Sequence, residues 1–171
     1  SVLRECLEED FLKQVCTRRL TRSQFCLLKL VAANADLQVG ELARCLGVSP
    51  AASSKNLDRL ERLGLVFRET SPLDRRVILL RASDEGRELV QEYERLKAAR
   101  LGPVLDSLGE EKTTQLCELL EEVCGSILGS AEHPRATCLR CTGYSLPDCS
   151  FEQYQGECAL QPRREGSEVD A

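Results

Sequence analysis

The sequence predicts a mainly α-helical fold with one small β-hairpin, and three observations predict it. Apolar residues recur at helical spacing through most of residues 2–128. A tight Gly-Val-Ser-Pro turn at 47–50 separates two helical patterns. Directly after the second of these, two short β-rich runs flank a Ser-Pro-Leu-Asp-Arg-Arg turn.

Residues 2–20 carry Leu3, Leu7, Phe11 and Val15 at four-residue spacing with charges between them, an amphipathic helix. Thr21 suits the cap of a second helix over 22–33, because its hydroxyl can accept from backbone N–H groups of the first turn; Phe25, Leu28 and Val31 share a face, and Asn34 and Asp36 stop it. A short extended link at Leu37 and Gln38 follows. Residues 40–46 form a short helix with Leu42, Ala43 and Leu46 inward, ended by Gly47. Ser49 is then a fresh N-cap and Pro50 a first helical residue whose missing N–H is not needed, so the next helix spans 50–63 and closes at Gly64. Two helices meeting at so tight a turn make a helix-turn-helix.

Residues 65–69 and 77–81 are the strands of a hairpin, a wing beside the second of those helices. Ser83 caps a further helix with Asp84 and Glu85 in its first turn, where negative charge is favoured; Leu89, Tyr93 and Leu96 continue its stripe until Gly102-Pro103 bends or ends it near 101. Glu110 and Glu111 open a last helix whose Leu116, Leu119, Leu120, Val123 and Ile127 form an apolar stripe wide enough for more than one neighbour. The expected architecture is thus a winged helix-turn-helix, dimeric through its N- and C-terminal helices. It divides into a dimerisation helix (1–20), the winged helix-turn-helix (21–83), C-terminal dimerisation helices (84–129), and a cysteine-rich segment with a polar tail (130–171).

Charge narrows the function. A net −5 excludes a surface that coats nucleic acid everywhere, so any DNA contact must be local. Residues 38–81 supply eight basic against five acidic side chains, whereas residues 132–171 supply four against seven. Aromatics at 4% leave few rings for a base-stacking platform. No apolar run is long enough to span a bilayer and the first residues show no basic-then-apolar leader, so a cytoplasmic protein without membrane contact is expected.

A helix fits the major groove of double-stranded DNA and a basic hairpin reaches the adjacent minor groove. On the 50–63 helix the residues near the N-terminal end face base edges: Ser53, Ser54, Lys55, with Asn56 and Arg59 as further candidates, while Ser49 and the helix N-terminus favour phosphate. Any one of these is ordinarily a solvated surface group; cap, turn, helix and Arg-bearing hairpin in this order point to DNA. Asp58 and Glu61 are outward or structural, since no His, Cys or metal motif accompanies them, and no enzyme is expected.

Leu-Gly-Val-Ser at 46–49, Leu-Asp-Arg-Leu-Glu-Arg-Leu-Gly-Leu-Val at 57–66, Asp-Arg-Arg at 74–76 and Ser-Asp-Glu-Gly at 83–86 stand in the order and spacing of the MarR family of bacterial transcriptional regulators, which this stretch resembles. Ser54 and Lys55 replace the family's common Thr-Arg, and Ala82 a larger apolar residue. A homodimer on a pseudo-palindromic operator is expected, and the resemblance implies that Arg76 or Arg75 enters the minor groove, with Asp74 orienting a neighbouring Arg.

The family pattern does not extend to Cys138-x2-Cys141-x7-Cys149-x8-Cys158, four thiols within 21 residues broken by Gly143, Pro147 and Gly156. An irregular loop of this kind can wrap an iron–sulfur cluster, with 4Fe-4S the preferred nuclearity, and so give a regulator that responds to oxygen, redox state or iron. Structural zinc is the alternative, although zinc sites commonly use two close Cys pairs and only the first pair is close here; a small organic effector would then supply the signal. Disulfides or unbound thiols fit a reducing cytoplasm poorly. His133 reads as a surface loop residue, and Tyr144, Phe151 and Tyr154 as shielding for the centre. Cys6, Cys16, Cys26, Cys117 and Cys124 lie in helical patterns and are expected to pack as small hydrophobes; Cys45 is the one that could serve as a redox thiol, though packing is favoured there too. An electron-transfer or catalytic protein on the same scaffold is the competing class, and no phosphate-binding Gly loop or nucleophile–base pair speaks for it.

Overall fold

The computed structural model describes residues 10–16, 18, 20–34, 37–39, 42 and 49–130. Outside these lie the start of the first expected helix with Cys6, nearly all of the short helix expected at 40–46 with Cys45, and the whole segment bearing Cys138, Cys141, Cys149 and Cys158. The elements in chain order are α1 (Asp10–Val15), α2 (Arg22–Ala33), α3 (Pro50–Arg62), β1 (Val66–Thr70), β2 (Ile78–Ala82), α4 (Asp84–Leu108) and α5 (Glu110–Gly129).

Local chemistry fixes the helix starts. Thr21 Oγ1 accepts from the Gln24 N–H at 3.3 Å while the Thr21 N–H donates to Gln24 Oε1 at 3.0 Å, a reciprocal capping box at the head of α2. Ser49 Oγ accepts from Ala52 N–H at 3.2 Å ahead of Pro50, and Ser83 Oγ from Gly86 N–H at 3.0 Å. The C-terminus of α3 closes through Gly64, which takes a φ of +71° so that its N–H meets the Glu61 carbonyl at 2.8 Å and the Leu65 N–H meets that of Leu60 at 3.0 Å.

That closure displaces the hairpin from its expected limits. Leu65 is tied back to α3 through its N–H, and its carbonyl accepts from Ser83 N–H at 3.0 Å, so pairing begins at Val66. The antiparallel register sets Val66 against Ala82 and Thr70 against Ile78. The link at Leu37 and Gln38 is more than a spacer: Leu37 carbonyl accepts from Leu80 N–H at 2.9 Å and Gln38 bridges to Leu79, covering the free edge of β2.

Pro103 neither ends nor bounds α4, contrary to the expected stop near 101; the helix continues to Leu108 and turns into α5 at Gly109, φ +78°. Proline removes one backbone donor, and the carbonyl it would have served, that of Ala99, belongs to an exposed residue that water can reach.

The core is aliphatic, built on Leu27, Leu28, Leu30, Leu42, Leu57, Leu60, Leu65 and Leu80, all fully buried. Phe11 and Phe25 close it against Tyr93 of α4, with ring centroids 6.4 and 4.6 Å away. Two cationic residues tie the helices together. Lys29 of α2 is buried at 4% exposure with Nζ 2.6 Å from Glu94 Oε1 of α4. Arg18 reaches the Leu63 carbonyl at the end of α3 and pairs with Glu85 at 2.7 Å in the first turn of α4.

Candidate nucleic-acid interface

Helix α3 turns Ser53, Leu57 and Leu60 into the core, which orients every other side chain on it. Ala51, Ala52, Lys55, Asp58 and Arg62 are exposed on the opposite side, Ser54 is exposed, and Arg59 is half-buried. Ser53 was expected at base edges but is only 3% exposed; its spacing to Leu57 and Leu60, four and seven residues on, places its small hydroxyl on the packed face. Asn56 also turns inward, its Oδ1 accepting from Gln24 Nε2 of α2 at 3.5 Å. Ser49 is occupied as the cap of α3. The outward basic groups are therefore Lys55, Arg59 and Arg62.

At the tip of the hairpin Asp74, Arg75 and Arg76 are exposed, beside a Leu73 that is 97% exposed. Asp74 works on the backbone: its Oδ1 accepts from the Arg76 N–H at 2.9 Å and its carbonyl from the Val77 N–H at 2.9 Å. The side chain shapes the turn that presents both arginines, acting through the backbone of the neighbouring Arg76. Neither the Arg75 nor the Arg76 guanidinium has an ion-pair partner among the described residues.

One residue of this surface escaped the sequence reading. Arg68 of β1 reaches over the flank of α3, where it pairs with Glu61 and, at 3.0 Å, with Asp58. The pair of carboxylates one helical turn apart, followed by an arginine on the next strand, was the signal available for it.

Cysteine placement is mixed. Among the described residues no group of three or more metal-ligating side chains comes together. Cys16 borders a 530 Å³ cleft between α1 and α4 that is also lined by Arg18, Leu65, Glu85 and Leu89; burial pushes its thiol above the usual 9.0, away from the reactive thiolate. Cys26 and Cys124 are half-buried, while Cys117 is exposed, contrary to the expected packing, on a helix whose apolar stripe is itself exposed at Leu116, Leu119, Leu120 and Val123.

A family model described as MarR matches residues 20–77. The transcriptional regulator FarR of Neisseria gonorrhoeae is 30% identical over 120 residues, a span covering 70% of this chain and 82% of FarR. The chain belongs to the MarR family. Among solved structures, the MarR-type fold described above is similar to the transcriptional regulator Tm0710 from Thermotoga maritima, with 26% identity, TM-score 0.55, and coverage of 74% of this chain and 91% of that one. It is also similar in fold to Streptococcus pneumoniae FabT, solved in complex with DNA, at 20% identity and TM-score 0.63 over 74% and 90% of the two chains. Membership makes this a transcriptional regulator of MarR type, a class of regulators and not of enzymes. Among the described residues no helix is long and apolar enough to cross a membrane.

Proposed function

We propose that this MarR-family chain acts as a homodimer that binds a pseudo-palindromic DNA operator and whose affinity is set by an iron–sulfur cluster on Cys138, Cys141, Cys149 and Cys158. The observation that carries the DNA reading is the outward face of α3, where Lys55, Arg59 and Arg62 stand beside a hairpin that presents Arg75 and Arg76. Each subunit lays α3 in a major groove and its hairpin in the neighbouring minor groove. Lys55, Ser54 and Arg59 face base edges or phosphate, the Ser49-capped N-terminus faces phosphate, and Asp74 holds the turn that aims Arg76 or Arg75.

Dimerisation is supported by α5. Leu119, Leu120, Val123 and Ile127 are more than half exposed on the single chain, a contiguous apolar stripe of the kind a soluble protein covers with a partner. The same residues were expected to form the interface, together with the first helix.

The cluster rests on the four-cysteine spacing alone. Its loss or oxidation would act on the segment that follows Gly129, the last residue of α5, and so on the helices that set the separation of the two α3 rods. Protein purified without oxygen is expected to be brown and to contain iron and inorganic sulfide. A colourless protein with stoichiometric zinc would replace the cluster by a structural zinc site and move sensing to a small organic effector.

The DNA reading is tested by enriching duplexes from a random pool and footprinting the survivors, with two-fold symmetric protection and half-sites about one helical turn apart expected. Arg76→Ala is expected to weaken binding to the enriched duplex by about 1–3 kcal/mol, measured by fluorescence anisotropy. Unchanged affinity would remove the wing tip from the interface.

A further inference from the structure

We infer that Arg68 is a positioning residue for DNA binding: by holding Asp58 and Glu61, it keeps the DNA-facing cations of α3 free. This rests on the DNA reading above. Asp58 is exposed on the outward side of α3, where a carboxylate beside a polyanion repels it. Lys55 precedes Asp58 by three residues and Arg62 follows it by four, so both are its neighbours on the helix surface; an acid four residues before a base is the favoured order for such a pair.

Arg62 is already against this residue, its Nε donating to the Asp58 carbonyl at 3.2 Å. A free Asp58 side chain needs only a rotamer change to pair with Arg62 or Lys55 and withdraw a positive charge from the groove. Arg68 prevents this with a planar fork. Nη2 meets Asp58 Oδ1 at 3.0 Å and Nη1 meets Glu61 Oε2, so one guanidinium engages both acids from a strand that lies off the helix. Its backbone is fixed opposite Leu80, a fully buried residue of β2, so the fork is aimed by the sheet.

As a surface tie between hairpin and helix the contact adds little to stability, because exposed ion pairs contribute little. Its effect falls on binding. Arg68→Gln is expected to bind a mixed-sequence DNA duplex about tenfold more weakly and with a salt dependence flatter by about one phosphate contact. The triple variant Arg68→Gln, Asp58→Asn, Glu61→Gln is expected to regain wild-type affinity and salt slope, since no carboxylate remains to capture Lys55 or Arg62. The double variant Asp58→Asn, Glu61→Gln, which retains Arg68, is expected to bind at least as tightly as wild type.

The proposal is overturned if Arg68→Gln binds normally, if the triple variant stays as weak as Arg68→Gln, or if the double variant loses affinity, because the last two results mean that the bridge matters only as a mechanical tie. The double variant decides the matter even if Arg68→Gln does not fold. Wild-type protein on the same duplex separates this from the parent reading: a wild type without salt-dependent affinity defeats DNA binding itself.

Discussion

Gly86→Ala is expected to destabilise the protein by about 3 kcal/mol or more, the upper end of what overpacking costs and a large share of the stability of a small domain. An added Cβ would lie 2.3 Å from the Leu65 carbonyl oxygen, 3.2 Å from its carbon and 3.1 Å from Leu28 Cδ1. Retreat is blocked on each side. The Leu65 carbonyl is held by the Ser83 N–H at 3.0 Å, and the Leu65 N–H by Leu60 at 3.0 Å, so the carbonyl cannot swing away without undoing the closure of α3. Gly86 itself is in the first turn of α4, fixed by the Ser83 cap at 3.0 Å. The backbone of α4 thus packs directly on the turn between α3 and β1. Equilibrium urea unfolding checks the prediction, with Gly129→Ala as control: its Cβ would meet nothing within 4 Å, and a near-neutral change is expected. Equal midpoints for the two variants would show that the turn can yield.

The features legible in the sequence were those written in neighbouring residues. Thr21, Ser49 and Ser83 announce their caps because each cap is closed within three residues, and the starts of α2, α3 and α4 follow from them. The Ser-Pro-Leu-Asp-Arg-Arg turn gives the hairpin for the same reason. Gly86 was read only as part of a polar motif, because its need for a bare Cα comes from Leu65, which is distant in sequence. Pro103 misled for a related reason: a breaker rule counts the lost donor, while the exposed flank of α4 lets water take its place.

On the proposed DNA face the basic residues were legible from their place on the helix and hairpin, but their directions were not. Ser53 shares the 3.6-residue stripe of Leu57 and Leu60, and that periodicity assigns it to the core although the residue is polar. Arg68 required knowing that β1 runs along α3. The two arginines of the wing are exposed where the motif places them, and Asp74 is a turn former whose bond to a backbone N–H no side-chain pattern announces.

Lys29 is the furthest from legibility, and its pair yields the second large effect. In sequence it interrupts an apolar run of α2; in the fold its ammonium is buried against Glu94, 5.3 Å from the Tyr93 ring centroid and 5.9 Å from that of Phe25. The desolvation of Lys29 is offset by a carboxylate that Lys97 also holds at 2.5 Å. Glu94→Ala takes this carboxylate from the buried ammonium, and breaking a buried pair by removing one partner is expected to destabilise the fold by about 3–5 kcal/mol. Lys29→Met should cost much less, since a linear apolar chain fills the site and Glu94, one-third exposed, keeps Lys97. In a double-mutant cycle, Lys29→Met is expected to rescue most of the Glu94→Ala loss.

The acid limb of stability tests the same pair independently. Burial pushes the Glu94 carboxyl up, but the contacts and charges of Lys29 and Lys97 outweigh it and hold the group below the usual glutamate value of 4.5. A carboxylate held down in the folded state stabilises it fully above the unfolded value, and that contribution is lost as the pH falls from 4.5 through the folded value. Unfolding midpoints of wild type should therefore fall below pH 4.5 more steeply than those of Glu94→Gln, which has no proton to take up at this site. Parallel acid limbs for the two proteins would mean that Lys29 draws its compensation from elsewhere, and that α2 and α4 are joined by packing alone.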